Sequence, residues 1–265
     1  MTRFLVIPQW QGSPAARAML LADGALAIAG DLPRAATTVL DVPIEAGESL
    51  GTGVHRLSSL RRIRAQVQDA GTEGTVVIGG DCGVAVAALA AQDTSGLAVL
   101  WCDAHPDLHD PDTSPSGAFS GMALRAVLGE GEPQLVLSPG IPRDRVLVAG
   151  ARAIDDAESP ELDRLSVLSA ADLTDPESLR RAVADTGAGR VWVHIDVDVL
   201  DPSEFSGVSD AEPFGVSVSA LVAAIRALRE SVPLAGASIT GFAPRSPADA
   251  VDDLGAILRL VGAVA

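Results

Sequence analysis

Two short acidic segments of the sequence carry residue types that bind metal ions. The first follows the apolar run Leu97–Cys102 and contains Asp103, His105, Asp107 and His109. Because alternate residues of a strand point to the same side, these side chains begin on one side of the chain. Carboxylate and imidazole ligands together suit a divalent cation. The segment therefore predicts a metal site.

The second segment ends the apolar run Val191–Val197 and places Asp196 and Asp198 on one side. Without a cation between them, these two carboxylates would repel each other. A single Asp-x-Asp at a strand end is usually a turn or capping device, but two such segments favour a metal site. We expect Asp201 to close the following turn, and His194 to lie on the opposite side of its strand from the metal site.

The elements that must position these residues alternate along the chain. Apolar runs predict strands at Phe4–Ile7, Val39–Val42, Thr75–Ile78, Leu97–Cys102, Val146–Ala149, Val191–Val197 and Ala237–Phe242. Helical periodicity predicts helices at Ala15–Ala29, His55–Ala70, Gly83–Ala91, Gly121–Leu128, Pro176–Ala184, Ser217–Arg229 and Asp249–Val264. Continuous apolar strands followed by helices indicate an α/β fold: a mainly parallel, doubly wound sheet in three α/β/α layers. We expect one domain over residues 1–265, with its ligand site beyond the carboxyl ends of the strands.

The composition excludes several classes of function. The 265 residues are 48% hydrophobic and 20% charged, which is typical of a globular protein. A net charge of −16 would repel nucleic-acid phosphates and anionic lipids. No signal-peptide pattern and no apolar run of roughly 20 residues is present, and two cysteines cannot form a disulfide framework. We therefore expect a cytoplasmic protein that binds a small-molecule substrate and neither nucleic acid nor a membrane.

Four motifs, in their order and spacing, resemble those of the arginase/agmatinase (ureohydrolase) family. They are Gly-Gly-Asp-Cys-Gly at 79–83, Asp-Ala-His-Pro-Asp at 103–107, Ser116-Gly117, and Asp-Val-Asp-Val-Leu-Asp-Pro at 196–202. The resemblance covers nearly the whole chain. It implies an arginase-like three-layer fold with two manganese ions, bridged by a hydroxide that attacks a guanidinium carbon and releases urea. It also implies a homo-oligomer, a trimer or a hexamer.

The same resemblance implies a role for individual residues. The first ion would be held by Cys82, Asp103, Asp107 and Asp196. The second would be held by Asp103, His105, Asp196 and Asp198, so that Asp103 and Asp196 contact both ions. Catalytic roles fall on Asp107 and His109, and substrate contacts on His109, Ser116 and Asp155. The segment 152–155 resembles the part of the family that contacts the amino-acid end of the substrate.

Cys82 departs from the family pattern, because a metal-binding histidine stands there in the family. A thiolate is softer than an imidazole and favours zinc, iron or cobalt over manganese. Alternatively, Cys82 is a small buried thiol beside a weak or empty metal site. Cys102 lies on the other face of its strand and is predicted to belong to the core.

Two further departures concern the substrate side. Ser120 replaces a proton-shuttling histidine, and Gly241 replaces a glutamate that binds the guanidinium group. His109 is a candidate replacement for the imidazole, and Glu212 is a candidate replacement for the acid. Gly241 either makes room for a bulkier substrate or marks a bulge in the last strand. If the pocket is otherwise intact, Gly241→Glu, ideally combined with Ser120→His, is expected to raise urea release from arginine or agmatine.

Two functions of different classes follow from these residues. The first is a metal-dependent hydrolase that cleaves a C–N bond of an amidino, guanidino or related substrate, with altered specificity. The second is a catalytically inactive member that serves as a binding or assembly subunit, which would explain the joint loss at Ser120 and Gly241. Because the acidic ligands are retained while pocket residues change, the first function is favoured. Ordinary arginase or agmatinase activity ranks third.

Overall fold

The computed structural model describes residues 2–265 and contains one eight-stranded, all-parallel sheet. The strands are β1 Arg3–Ile7, β2 Thr37–Val39, β3 Thr75–Gly79, β4 Leu97–Cys102, β5 Val146–Ala149, β6 Ser166–Leu168, β7 Arg190–Asp196 and β8 Leu234–Thr240. The helices are α1 Met19–Asp31, α2 Leu57–Ala70, α3 Gly83–Leu89, α4 Ala123–Val127, α5 Ser159–Leu162, α6 Pro176–Asp185, α7 Val218–Ser231 and α8 Pro247–Val264. The predicted parallel α/β fold is confirmed.

Helices cover both faces of this sheet, which makes three layers. Helices α1, α6, α7 and α8 contribute Ile28, Leu179, Leu221 and Ile257 to the core on one face. Helices α2 to α5 contribute Leu57, Val84, Leu124 and Leu162 to the core on the other face. Burial on both faces is why the central strands are continuous apolar runs in the sequence.

Strand β4 shows this two-sided burial at the level of single residues. Its alternate residues Val99 and Trp101 enter the core under α2 to α5, whereas Leu100 and Cys102 enter the opposite core. All six residues of the strand are buried. The prediction that Cys102 is a core residue is confirmed.

The predicted elements differ from the observed ones mainly at the edges of the sheet. The run predicted at Val39–Val42 is a strand only at Thr37–Val39, and the short strand β6 and helix α5 were not predicted. Both edge strands expose part of their surface, so neither has the apolar pattern of a central strand. The last predicted strand ends at Thr240, two residues early, because Gly241 leaves the sheet with φ +85°.

In the strand order β2-β1-β3-β8-β7-β4-β5-β6, the central strands β3, β8, β7 and β4 lie side by side. After β3 the chain crosses to β4, and β7 and β8 later fill the space between them. Consequently the carboxyl ends of these strands bring four residues to the same edge of the sheet: Cys82 after β3, Asp103 after β4, Asp196 at the end of β7 and Gly241 after β8. Within residues 2–265, no helix combines the length and apolarity needed to cross a membrane.

Candidate metal centre and substrate cavity

The two acidic segments meet at the side chain of Cys82, which follows β3. The Cys82 thiol lies 3.0 Å from Asp196 Oδ2 and 3.7 Å from Asp103 Oδ2. Because both carboxylates contact one sulfur atom, they lie well inside the separation of about 8 Å beyond which no ion could be shared. The strand order thus brings together residues that are more than ninety positions apart in the sequence.

His105 joins the cluster from the loop after β4. Its Nδ1 atom lies 3.0 Å from Asp198 Oδ2 and 3.5 Å from Asp103 Oδ1. The backbone N–H of Ala104 donates to Asp198 Oδ1 at 3.0 Å, which ties the two acidic segments together. The sequence analysis attributed this convergence to the alternation of side chains along a strand. Because β4 ends at Cys102, the side chains converge instead through the loop that follows the strand.

Asp107 occupies a strained position beside this cluster. Its φ of +53° is unusual for a residue with a side chain, and its carboxylate is buried. Among residues 2–265, nothing offers its Oδ2 atom a hydrogen bond. A buried acceptor without a partner is costly, and a cation at this position would remove that cost.

Buried negative charge dominates the electrostatics of the cluster. Burial, followed by the charge of Asp198, raises the pKa of Asp196 to about 7. Burial, followed by the charge of Asp103, raises the pKa of Asp198 to about 6 and that of Asp107 well above its usual range. Burial lowers the pKa of His105, but its hydrogen bonds to Asp103 and Asp198 and their charges outweigh burial and raise it to about 12.

These residues are suited to divalent metal ions. Ligand atoms of Asp103, His105 and Asp198 all lie within 4.8 Å of one another, and Asp103 also belongs to a second such group with Cys82 and His194. Oxygen, nitrogen and sulfur donors converge, and within the described chain no lysine or arginine forms an ion pair with these carboxylates. The donor set and its uncompensated charge therefore fit a metal centre.

His194 lies on the same side of β7 as the cluster, so the expectation that it faces away is wrong. Residues 194 and 196 share one strand face because side chains alternate with a period of two. The ring is fully buried, stacks at 3.7 Å between centroids on Trp101, and has Nδ1 2.9 Å from Ser238 Oγ. Burial lowers the pKa of His194 to about 3.

A cavity of about 1100 Å³ opens above the metal cluster. Its wall includes the predicted substrate residues Ser116 and Asp155, and also Ser120, Glu212 and Gly241. Cys82 lines the cavity as well, so the structure brings the acidic cluster, Cys82, Ser120 and Gly241 into one space. Its volume is close to the upper end of the range of about 300–1,000 Å³ that small-molecule sites have, and several polar side chains line it.

His109 lies in the wall of this cavity and not among the cluster residues. Its Nε2 atom is 3.0 Å from Asp155 Oδ2 and 3.7 Å from Glu158 Oε2, and its Nδ1 atom is 3.4 Å from Thr113 Oγ1. These residues form a third group with mutually close ligand atoms, made of His109, Asp155 and Glu158. The catalytic role of His109 stays a prediction, whereas its place beside a predicted substrate residue is clear.

Sequence reasoning missed Glu158, which is buried and lines the cavity. Its Oε1 atom accepts a hydrogen bond from the backbone N–H of Leu108 at 2.9 Å, and Oε2 accepts from that of Asp155 at 3.3 Å. Glu158 therefore joins the loop that carries the metal-binding motif to the loop that carries Asp155. The only local signal is its spacing of three residues from Asp155, which is too common to identify it.

Two residues hold the loops of the site in place. Asp81 is buried and accepts hydrogen bonds from Gln9 Nε2 and from the backbone N–H groups of Gly12 and Gly83, at 2.8–2.9 Å. The guanidinium of Arg152 donates to the backbone carbonyls of Asp198 and Glu212, both at 2.8 Å. Arg152 therefore supports the loops around the cavity, and its whole segment 152–155 lines the cavity, as expected for a segment that contacts the substrate.

Asp201 has the structural role that the sequence predicts. Its carboxylate accepts hydrogen bonds from the backbone N–H groups of Ser203 and Gly215, both at 3.0 Å. These bonds close the turn after β7 and anchor a second stretch of loop to it. The prediction that Asp201 closes a turn is confirmed.

Gly241 is required by a close approach of the backbone to the metal cluster. A Cβ atom at this position would lie 2.0 Å from Asp196 Oδ1, and the φ of +85° disfavours any side chain. Its N–H donates to the carbonyl of Gly80 at 2.8 Å, which fixes this geometry. This geometry argues against the expectation that Gly241→Glu would raise urea release, because the new side chain would collide with the Asp196 carboxylate.

Comparisons with known proteins agree on one family. A model of the arginase family matches residues 14–258. An arginase of Bacillus caldovelox is 32% identical over 191 residues, which cover 63% of this chain and 64% of the relative, slightly less than two thirds of its length.

Solved structures show the same fold. An Entamoeba histolytica arginase in complex with L-ornithine has a TM-score of 0.84 at 20% identity, with 99% of this chain and 100% of that chain covered. A proclavaminate amidino hydrolase of Streptomyces clavuligerus has a TM-score of 0.70 at 19% identity, with coverages of 99% and 90%.

We predict that Gly241→Ala lowers both stability and metal binding, because the added methyl group would collide with the Asp196 carboxylate. Gly96→Ala is the matched control, since Gly96 also has a positive φ but no atom near its Cβ position. In both variants the free energy of unfolding should fall by about 1 kcal/mol, because alanine strains the backbone at a positive φ. Only Gly241→Ala should also lose metal. Thermal melts and elemental analysis would measure the two effects. Equal metal content in the two variants would contradict the steric explanation.

We predict that the metal-free protein becomes less stable as the pH rises from about 4 to about 7. Over this range the folded state holds protons that the unfolded state releases, since the pKa of Asp196 is raised from 3.8 to about 7. With a saturating divalent metal, stability should instead rise with pH over this range. At 100 times its Kd, the metal should add on the order of 2–3 kcal/mol to the free energy of unfolding. Melting temperatures against pH, with and without EDTA, would measure this. Asp196→Asn should reduce the slope but not abolish it, because the pKa values of Asp81 and Asp198 are also raised, to about 6, and an unchanged slope would refute the contribution of Asp196.

Proposed function

The chain belongs to the arginase family, and from this premise we propose that it is a metal-dependent hydrolase of a non-peptide C–N bond. The substrate class is an amidino, guanidino or related small molecule, bound in a way that differs from the recognition of arginine. The observation that carries this proposal is a cluster beneath a cavity of about 1100 Å³, made of three buried carboxylates, one half-buried carboxylate, one imidazole and one thiol.

Two ions sharing ligands are the proposed cofactors. The contacts of Cys82 with Asp103 and Asp196 support a first site that also includes Asp107. The contacts of His105 with Asp103 and Asp198 support the second site. When bound, two divalent ions lower the pKa of a water molecule so that it supplies a nucleophile at neutral pH. Manganese is proposed for the His105 site, since oxygen and nitrogen ligands dominate there.

The residues of this chain then have distinct tasks around the reacting carbon. Asp107 is proposed to take part in catalysis as a deprotonated ligand of the first ion, through the buried Oδ2 atom that lacks a partner among residues 2–265. Ser116 and Asp155 line the cavity and offer hydrogen bonds to a polar substrate. His109, held by Asp155 at 3.0 Å, is proposed to orient the substrate and to exchange protons with its leaving group.

The substrate-binding side of the cavity argues against arginine as the preferred substrate. Position 241 carries no carboxylate, and a side chain added there would collide with the Asp196 carboxylate as it is placed in this structure. Ser120 lines the cavity but does not titrate near neutral pH. Glu212 also lines the cavity and is a candidate partner for a cationic group. A substrate whose reacting group depends less on a carboxylate partner is therefore favoured.

The inactive alternative is less well supported. It predicts that metal ligands decay together with the pocket residues, yet the donor atoms of Asp103, His105 and Asp198 remain within 4.8 Å of one another. Loss of function would not maintain so much buried charge, which destabilises the fold in the absence of a metal ion. Homo-oligomeric assembly and a cytoplasmic location stay predictions from the sequence.

We predict that Asp196→Ala removes both ions, whereas Cys82→Ala weakens only one of them. Asp196 is expected to contact both ions, and Cys82 only the first. Elemental analysis after purification without chelators should give about two metal equivalents for the unmodified protein. Asp201→Ala is the matched control, since Asp201 closes a turn away from the cluster. Equal metal content in the unmodified protein and in Asp196→Ala would overturn the assignment.

We predict that arginine and agmatine are poor substrates of the metal-loaded protein. Loss of one charged contact from a desolvated site costs on the order of 2–4 kcal/mol, or about 10²–10³ in rate. A panel of amidines, guanidines and formimino compounds, assayed for ammonia, urea and amide release, would locate the preferred substrate. Release that requires metal and disappears in Asp196→Ala would support the proposal. Metal binding without turnover of any compound would favour the binding subunit.

A further inference from the structure

The imidazole of His194 has a nitrogen that the fold leaves unused. Its Nδ1 atom faces Ser238 Oγ at 2.9 Å, and that oxygen also accepts from Trp192 Nε1 at 3.1 Å. Its Nε2 atom is fully buried and finds no hydrogen-bond partner within residues 2–265. A buried polar atom without a partner is rare in a well-packed core and calls for a ligand.

The surroundings of His194 supply two further donor atoms. A ring nitrogen of His194, the Cys82 sulfur and a carboxylate oxygen of Asp103 lie within 4.8 Å of one another. A zinc-like ion, with bonds of about 2.0–2.3 Å, keeps its ligand atoms about 3–4 Å apart. Small movements of these side chains would therefore enclose one ion.

We propose that His194 binds metal through Nε2, so that the ion beside Cys82 is held by a thiolate, an imidazole and carboxylates. This inference rests on the metal centre of the proposed function, but it adds a ligand and predicts which metal is preferred. Histidine is absent from position 82, which follows β3, and His194 returns an imidazole to the same site from β7, on the other side of β8 in the sheet. The two ions of the centre would then differ in ligand chemistry.

The hydrogen bonds around His194 support this role. When Nδ1–H donates to Ser238 Oγ, Nε2 presents its lone pair, and metal-binding histidines commonly carry such a partner on their other nitrogen. Stacking on Trp101 fixes the plane of the ring. On binding, the Cys82 thiol gives its proton to solvent and the sulfur forms the bond to the ion, so charge and protons balance.

A thiolate and an imidazole together select the metal. This donor pair favours zinc, cobalt or cadmium over manganese, whereas the second site, with His105 and carboxylates, accepts manganese. We therefore expect a mixed-metal centre when both zinc and manganese are supplied. The unmodified protein should retain zinc in one site after dialysis that removes manganese.

The direct test uses the unmodified protein labelled with ¹⁵N-histidine and loaded with ¹¹³Cd. A bond between cadmium and Nε2 of His194 would give a resolved ¹¹³Cd–¹⁵N coupling, assigned by its persistence in His105→Gln. The ¹¹³Cd signal of the same ion should show the downfield shift that a thiolate ligand causes, and should lose that shift in Cys82→Ser. This measurement does not depend on a variant at position 194 that folds.

A second test measures zinc and cobalt binding to His194→Gln, with His55→Gln as the matched control outside the cavity lining. His194→Gln should weaken zinc binding at one site by at least about 10-fold and change the cobalt absorption spectrum. His55→Gln should match the unmodified protein, and manganese binding at the second site should remain in both variants. Circular dichroism would check that each variant is folded.

The outcomes separate this inference from the proposed function. Cadmium that binds without coupling to His194, together with unchanged zinc affinity in a folded His194→Gln, would overturn the role of His194 and leave the metal centre intact. An unmodified protein that binds none of these metals would overturn both. Coupling to His194 without any turnover of C–N substrates would uphold the ligand and count against the hydrolase.

Discussion

Uncompensated negative charge, buried at the carboxyl ends of the central strands, is the constraint on which the rest of the site depends. Asp103, Asp107, Asp196 and Asp198 lie close together, with His105 as their basic partner. Burying charges without compensation is expensive, so such a cluster must take up protons or bind cations. The raised pKa values of these carboxyls show the first response, and the convergent donor atoms provide for the second.

Hydrogen bonds of Asp81 and Arg152 fix the loops that lead to these charged residues. Asp81 ties the loop before α3 to residues at the N-terminal side of the fold, and Arg152 ties down the carbonyls of the loop after β7. Gly241 lets the end of β8 approach Asp196 more closely than any other residue would allow. The rigidity of the metal centre thus comes from residues that do not themselves bind metal.

The departures from the family pattern leave the acidic residues of the cluster unchanged. Ser120 and Gly241 change what the cavity offers to a substrate, while the acidic ligands keep their contacts. At Cys82 and His194 the chemistry of the donors changes, but their number does not fall. Such a pattern is more consistent with a changed substrate and a changed metal preference than with decay of an unused site.

The sequence by itself determined the parallel α/β fold and the places of Asp103 and Asp196, because apolar runs and the residues that end them are local patterns. It misjudged His194, although the period of a strand places that residue on the face of Asp196. Only the tertiary structure decided that Glu158 lines the cavity and that Gly241 touches Asp196. These contacts join elements far apart in the chain, and their geometry depends on strand order and loop packing, which no local pattern encodes.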